Sequence, residues 1–177
     1  MYLYSKKGDS GRSIIGKKKI SKDNKVLDLL GELDELNSLI GVVKNYLKKY
    51  RKQLHQVQED LFIIQANISF LLYPKFNLPK FNQDKVLRLE SEINKIEKTI
   101  KLPNRFVIPG KEINSAWLHY LRAVVRRIER KIIVIKKNHK ISPVIISYLN
   151  RLSSYFYALA LNEVYRKKLK EDYPNYK

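Results

Sequence analysis

In four long stretches of this chain the apolar residues recur at steps of three and four, and nowhere over a useful length do they alternate by two. That spacing constrains the fold more than any other feature, because it lines one side of an α-helix and would scatter over both faces of a strand. From about Lys25 the stripe runs Val26, Leu29, Leu33, Leu36, Ile40, Val43 and Leu47, which fits one long amphipathic helix. Residues 53–72 form a second, with Leu54, Val57, Leu61, Ile64 and Ile68 inward and Pro74 as its limit. A third covers residues 83–100 through Val86, Leu89, Ile93, Ile96 and Ile100, with Asn82 as its N-cap. The fourth stripe is Trp117, Leu121, Val124, Ile128, Ile132 and Ile135. Ser142 before Pro143 is an N-cap and first-turn signature. It opens a fifth helix with Ile145, Tyr148, Leu152, Tyr155, Phe156 and Leu159 inward.

The pattern predicts an all-α bundle of about five helices, four of them long. Residues 1–22 hold Gly8, Gly11 and Gly16 without sustained periodicity and read as a loop, ordered by itself or by a ligand. Residues 23–168 are the bundle and 169–177 a polar, frayed tail. A length of 177 residues with 44% hydrophobic content suits one well-cored domain.

Composition excludes several chemistries. With no cysteine there are no disulfides, no thiolate metal ligands and no cysteine nucleophile. The three histidines are far apart and lack metal-ligand spacing, so no histidine-bound metal is expected and no metal-ligand residue is named, while Mg²⁺ held mainly by phosphates stays open. No apolar run approaches the roughly 20 residues of a membrane span, and the first residues have no apolar leader. A soluble, cytoplasmic protein is expected. Thirty-six Lys and Arg against 17 Asp and Glu give a net charge of +19, which favours anionic partners. The basic residues are scattered, with clusters flanking or ending the helices, where cations suit the helix dipole.

The densest chemistry lies between residues 106 and 130. His119, Arg122, Arg126 and Glu129 recur at steps of three, four and three on a face away from the apolar stripe. Two guanidinium groups one turn apart suit a polyphosphate, since each grips phosphate oxygens bidentately and keeps its charge. The same array also fits a solvated helix face with ordinary ion pairs. On the first helix, Gly31, Asp34, Ser38 and Gly41 make a small-residue stripe that calls for a close approach by another helix or a ligand. The segment Ser5-Lys6-Lys7-Gly8-Asp9-Ser10-Gly11-Arg12-Ser13 has the glycines, hydroxyls and lysines of a phosphate-cradling loop, or of a flexible surface loop.

Five blocks, YSKKGDSGRS, KDNKVLDLLGELDELNSLIG, FVIPG, LHYLRAVVRRIER and YLNRLSSYFYALA, fall in an order and spacing that resemble the PduO-type ATP:cob(I)alamin adenosyltransferases over residues 4–162. The resemblance implies a ferritin-like, cobalamin adenosyltransferase-like bundle that assembles as a homotrimer with an active site at each subunit interface. It implies transfer of the 5′-deoxyadenosyl group of ATP to the cobalt of cob(I)alamin, with Mg²⁺ and release of triphosphate. Ser5, Lys6, Gly8 and Ser13 would wrap the nucleotide, with Lys22 at the phosphates. Arg126, Glu129 and Asn150 would hold the rest of the ATP. Asp34 and Arg122 would pair across the subunit interface, or form an ordinary pair within one subunit. Phe106 would sit beneath the corrin, where an aromatic before Pro109-Gly110 would otherwise be a core residue. A corrinoid reductase and an adenosylcobalamin-dependent enzyme are the implied partners.

Four positions depart from the family pattern. Lys7 and Arg12 stand where the loop has threonine, Lys111 replaces the second glycine after Pro109, and Ser154 replaces the aspartate of Asn-Arg-Leu-Ser-Asp. Two other readings accompany this one. The charge would suit a basic helical nucleic-acid-binding protein, although nucleic acid is not the expected partner, and Ser154 would suit a family member that binds ATP or corrinoid without efficient transfer.

Overall fold

The apolar stripes close on one another as five helices: α1 Lys25–Tyr46, α2 Arg51–Phe70, α3 Asp84–Glu97, α4 Ile113–Lys136 and α5 Pro143–Arg166. The computed structural model describes residues 4, 6, 8–75 and 77–176. α1 packs on α2 and α4, α4 on α5, and α5 on α3. Every expected inward residue of α1, α2 and α5 is buried, and so is the α4 stripe from Leu121 onward. Trp117 is the exception, half-buried with its ring stacked 6.5 Å from Tyr46, while Leu118 takes the core position. α3 is the shortest helix: Val86 and Leu89 are buried, and Ile93 and Ile96 pack partly exposed at the rim.

Neither of the two caps expected from the sequence, Asn82 and Ser142, makes a side-chain bond, while α1 has one that was not expected. Asn24 caps α1 through its side chain, accepting from the Val26 N–H at 2.8 Å. Asn82 does not cap α3; only its carbonyl contributes, accepting from the Lys85 N–H at 3.3 Å. Ser142 holds the N-cap position of α5 ahead of Pro143 without a side-chain bond; only its carbonyl contributes, accepting from the Ile145 N–H at 3.1 Å. α4 is capped by Glu112, whose carboxylate accepts from the Ser115 N–H at 2.9 Å.

The loop expected over residues 1–22 needs correcting. It contains an antiparallel hairpin, β1 Arg12–Ile15 and β2 Lys18–Ser21, with Ser13 opposite Ile20 and Ile15 opposite Lys18. Strands of four residues, RSII and KKIS, give too little alternation to register as a β period. The signal lay in the turn, since Gly16-Lys17 is a two-residue connection and Gly16 has φ of +59°. A Cβ at Gly16 would also overlap the Tyr73 ring. Gly16→Ala is therefore expected to destabilise the hairpin by about 1–2 kcal/mol. Faster amide exchange confined to residues 12–21 would show this, and unchanged protection there would contradict it.

One carboxylate sits inside the bundle. Asp60 of α2 is completely buried and accepts from Lys85 Nζ at 2.6 Å, from Tyr148 Oη at 2.8 Å and from the Arg88 guanidinium. It thereby joins α2 to α3 and α5. Burial, with the Asp60 charge beside it, pushes the Tyr148 phenol well above its ordinary pKa.

The tail also departs from expectation. It does not fray after Lys168: the Ile108 N–H donates to the Asp172 carbonyl at 2.8 Å, Lys111 pairs with the Asp172 carboxylate at 2.8 Å, and the Arg105 guanidinium lies 4.9 Å from the Tyr173 ring centroid. Residues 169–176 thus pack on the loop that precedes α4. No described helix is long and apolar enough to cross a membrane.

Candidate active site

α4 turns its apolar stripe to the core, so residues on the flank toward α3 and α5 are left to build a site. Arg122 and Arg126 share that flank one turn apart and line a cavity of about 360 Å³. α3 supplies Ile93 and Glu97, the following loop Leu102 and Pro103, and α5 Ser153, Ser154 and Tyr157. The cavity therefore mixes apolar side chains with two guanidinium groups, two serine hydroxyls and the Glu97 carboxylate, and its arginine side suits an anionic ligand.

The two arginines differ in their surroundings. The Arg122 guanidinium lies 5.4 Å from the Tyr157 ring centroid, a cation–π contact that fixes its direction. Arg126 is exposed, and among the described residues it has no ion-pair partner, so its five N–H donors are free. His119 leaves the array predicted for that face. It is buried with its ring 5.8 Å from Tyr157, and burial, reinforced by the nearby Arg122 charge, pushes its pKa down. It packs against Tyr157 and does not join the two arginines on the cavity side.

Beside the arginines runs a chain of polar contacts. Glu129 Oε1 accepts from Asn150 Nδ2 at 3.0 Å, Asn150 Oδ1 accepts from Arg151 Nη1 at 2.7 Å, and Arg151 Nε donates to Glu90 Oε1 at 2.7 Å. Ser154, one of the four departures from the family pattern, reaches only the Asn150 carbonyl, at 3.5 Å. Sequence reasoning singled out neither Glu90 nor Tyr157. No local spacing marks them, because both enter through the packing of α3 and α4 on α5.

The remaining candidates fall elsewhere. Lys6, Gly8, Ser13 and Lys22 gather on the hairpin and the turn before it, where Lys22 Nζ lies 3.5 Å from the position a Gly8 Cβ would take and the Lys22 N–H donates to the Gly11 carbonyl at 3.0 Å. Lys6 adopts φ of 55°, a conformation uncommon outside glycine. Ser5 and Lys7 lie outside the described residues. Among the described residues no hydrogen bond or ion pair joins this group to the α4–α5 cavity within the protomer.

Asp34 likewise does not meet Arg122 in one protomer. It stands exposed on the outer face of α1 with Gly31 and Ser38, and a Cβ on Gly31 would touch nothing within 4 Å. The close approach expected at that stripe is thus not made inside the protomer at Gly31. The other α1 carboxylates do meet α4: Arg127 pairs with Glu32 and Glu35, and Lys131 with Asp28 and Glu32. Burial works against the Glu32 charge, yet the hydrogen bonds from Lys131 and Arg127 outweigh it and hold its carboxyl below the usual range. Phe106 is 79% exposed in the loop that contributes Leu102 and Pro103 to the cavity, so it is not the core residue its sequence context allowed.

Fold and site together define a helical bundle with an arginine-lined cavity on α3, α4 and α5. The sequence model of the cobalamin adenosyltransferase family matches residues 3–163, and the chain belongs to that family. It is 30% identical over 166 residues to a corrinoid adenosyltransferase of Bacillus subtilis (strain 168), covering 90% of this chain and 85% of that protein. It is 32% identical over 172 residues to the corrinoid adenosyltransferase MMAB of Homo sapiens, covering 89% of this chain and 67% of that one. Among solved structures, a phenylalanine-to-histidine variant of the PduO-type ATP:corrinoid adenosyltransferase from Lactobacillus reuteri, complexed with cobalamin and ATP, superposes with a TM-score of 0.91 at 27% identity over 99% of this chain and 97% of that one.

Proposed function

We propose that this chain transfers the 5′-deoxyadenosyl group of ATP to the cobalt of cob(I)alamin or a similar reduced corrinoid, releasing triphosphate. The observation that carries this reading is the cavity beside Arg122 and Arg126, in a chain whose relatives are corrinoid adenosyltransferases over nearly its whole length. Its apolar residues, among them Ile93, Leu102, Pro103 and Leu161, offer contact to the edge of a corrin, and the unpartnered Arg126 suits an anionic leaving group.

The reaction asks little acid–base chemistry of the protein. Co(I) is the nucleophile: a Co–C5′ bond forms, the C5′–O bond breaks, and its electron pair leaves with the triphosphate. The protein must hold C5′ in line with cobalt and stabilise a leaving group of about four negative charges. In this reading Arg126 stabilises the triphosphate, with Lys22, Lys6 and the backbone around Gly8 and Ser13 supplying further donors. Glu129 and Asn150 hold the nucleoside end. Phe106 lies against the lower corrin face.

The hairpin and the cavity are not joined within one protomer, and Asp34 and Arg122 are unpaired within it. Both facts fit a homotrimer in which the hairpin of one subunit reaches the α4–α5 face of the next and Asp34 pairs with Arg122 across the contact. Residues 1–22, the bundle and the tail then work as one domain. Among the described residues no group of three or more His, Asp or Glu is placed to hold a metal ion. In this reading Mg²⁺ enters with the nucleotide, held by phosphate oxygens. Its role is to neutralise phosphate charge.

The direct test is anaerobic: purified protein, Mg-ATP and chemically reduced cob(I)alamin, following loss of the Co(I) absorption band and appearance of adenosylcobalamin. ATP-dependent turnover is expected. No turnover, while ATP still raises the melting temperature, would mean binding without transfer.

A further inference from the structure

We infer that Glu90 is a positioning residue for the nucleotide, acting through Arg151 on Asn150. The inference rests on the reading above, in which Asn150 holds the nucleoside end of ATP. It starts from the chemistry of an amide placed between two charges. Asn150 Nδ2 donates to the Glu129 carboxylate at 3.0 Å, and its Oδ1 accepts from the Arg151 guanidinium at 2.7 Å. A flipped amide would set its N–H groups against a guanidinium and its oxygen against a carboxylate, losing both bonds and opposing like partners. The amide therefore has one stable orientation. In it, one Nδ2–H and one Oδ1 lone pair remain for a ligand.

That orientation depends on Arg151 staying in place, and Arg151 is held by Glu90 of α3, whose Oε1 accepts from Nε at 2.7 Å. A guanidinium anchored at Nε by a carboxylate presents Nη1 in a fixed direction. Without that anchor Arg151, 42% exposed, is free to swing into water, and Asn150 keeps only its Glu129 contact. Ser154 offers no substitute, since its hydroxyl reaches only the Asn150 backbone. In this chain the carboxylate that steadies Asn150 and Arg151 thus comes from a neighbouring helix, where the family pattern has an aspartate three residues after Arg151. Glu90 touches no substrate in this scheme. Its effect is on the ground-state grip on ATP.

The test compares Glu90→Gln, Asn150→Ala and the double variant Glu90→Gln with Ser154→Asp in the steady-state adenosyl-transfer assay, with ATP varied and cob(I)alamin saturating. Glu90→Gln is expected to raise the KM for ATP about fivefold with kcat within about twofold, the scale of losing one partly exposed charge pair. Ser154→Asp in that background is expected to bring KM back toward the starting value, because an aspartate at i+3 from Arg151 reaches the same guanidinium. A purely structural Glu90 would lower kcat or the melting temperature and would not be rescued from position 154. If Asn150→Ala raises KM while Glu90→Gln does not, or if the second carboxylate fails to restore it, the relay is overturned and the nucleotide reading stands. If Asn150→Ala leaves KM unchanged, the nucleotide reading of Asn150 fails and takes the relay with it. Should Glu90→Gln melt below the assay temperature, Glu90→Asp, which keeps the charge on a shorter stem, replaces it in the same comparison.

Discussion

Replacing Arg126 with alanine is expected to lower kcat about 10²–10³-fold, the usual loss when one donor to a developing charge is removed, and to leave the melting temperature nearly unchanged. The two halves of that expectation have separate causes. Arg126 is exposed and pairs with no described carboxylate, so the folded state loses no contact with it, and surface substitutions of this kind stay within about 0.5 kcal/mol. In the transition state the C5′–O electron pair moves onto the triphosphate, and a guanidinium already in place needs no reorganisation to receive that charge. Arg126→Lys keeps the charge but loses the bidentate fork, and should fall between the two. Near-normal kcat in Arg126→Ala would remove this residue from the leaving-group role; a large fall in melting temperature would reassign it to structure.

The second large effect lies in the core and concerns stability. Asp60→Ala leaves the Tyr148 hydroxyl buried without its acceptor and separates Lys85 and Arg88 from their counter-charge. Breaking a buried pair from one side costs about 3–5 kcal/mol. Lys85 and Arg88 are partly exposed and can turn to water, which places this case near the lower end. For a chain of this length 3 kcal/mol corresponds to a fall in melting temperature of roughly 10 °C. Asp60→Asn keeps an acceptor for Tyr148 and should lose less. Thermal melts of the two variants decide it: a fall below about 3 °C in Asp60→Ala, or equal falls in both, would show that the carboxylate does not tie α2 to α3 and α5.

How much of this was legible in the sequence follows from the range over which each feature is determined. The stripes of α1, α2, α4 and α5 depend on local spacing alone, and nearly all of their expected inward residues are buried. Arg122 and Arg126 could be placed on one flank for the same reason. His119 could not, because whether that flank faces water at a given turn depends on Tyr157 arriving from α5. The hairpin escaped because two four-residue strands leave almost no period, and their marker is a single turn glycine. Asp60 stands beside an unbroken apolar stripe, just before Leu61; nothing nearby announces that Lys85, Arg88 and Tyr148 will converge on it. Glu90 and Arg151 are 61 residues apart, so their contact appears only once α3 lies along α5. The tail read as frayed because its composition is polar, whereas its order comes from the backbone and charge of the loop around Ile108 and Lys111.

That last contact sets an order of events during synthesis. The loop carrying Phe106 leaves the ribosome before α4 and α5, yet the carbonyl that receives its Ile108 N–H belongs to Asp172, beyond the end of α5. A nascent chain can bury the stripes of α1 through α4 while this loop still lacks its partner. The loop is therefore fastened after the helices, and a chain cut between residues 167 and 172 would keep every helix and lose the latch.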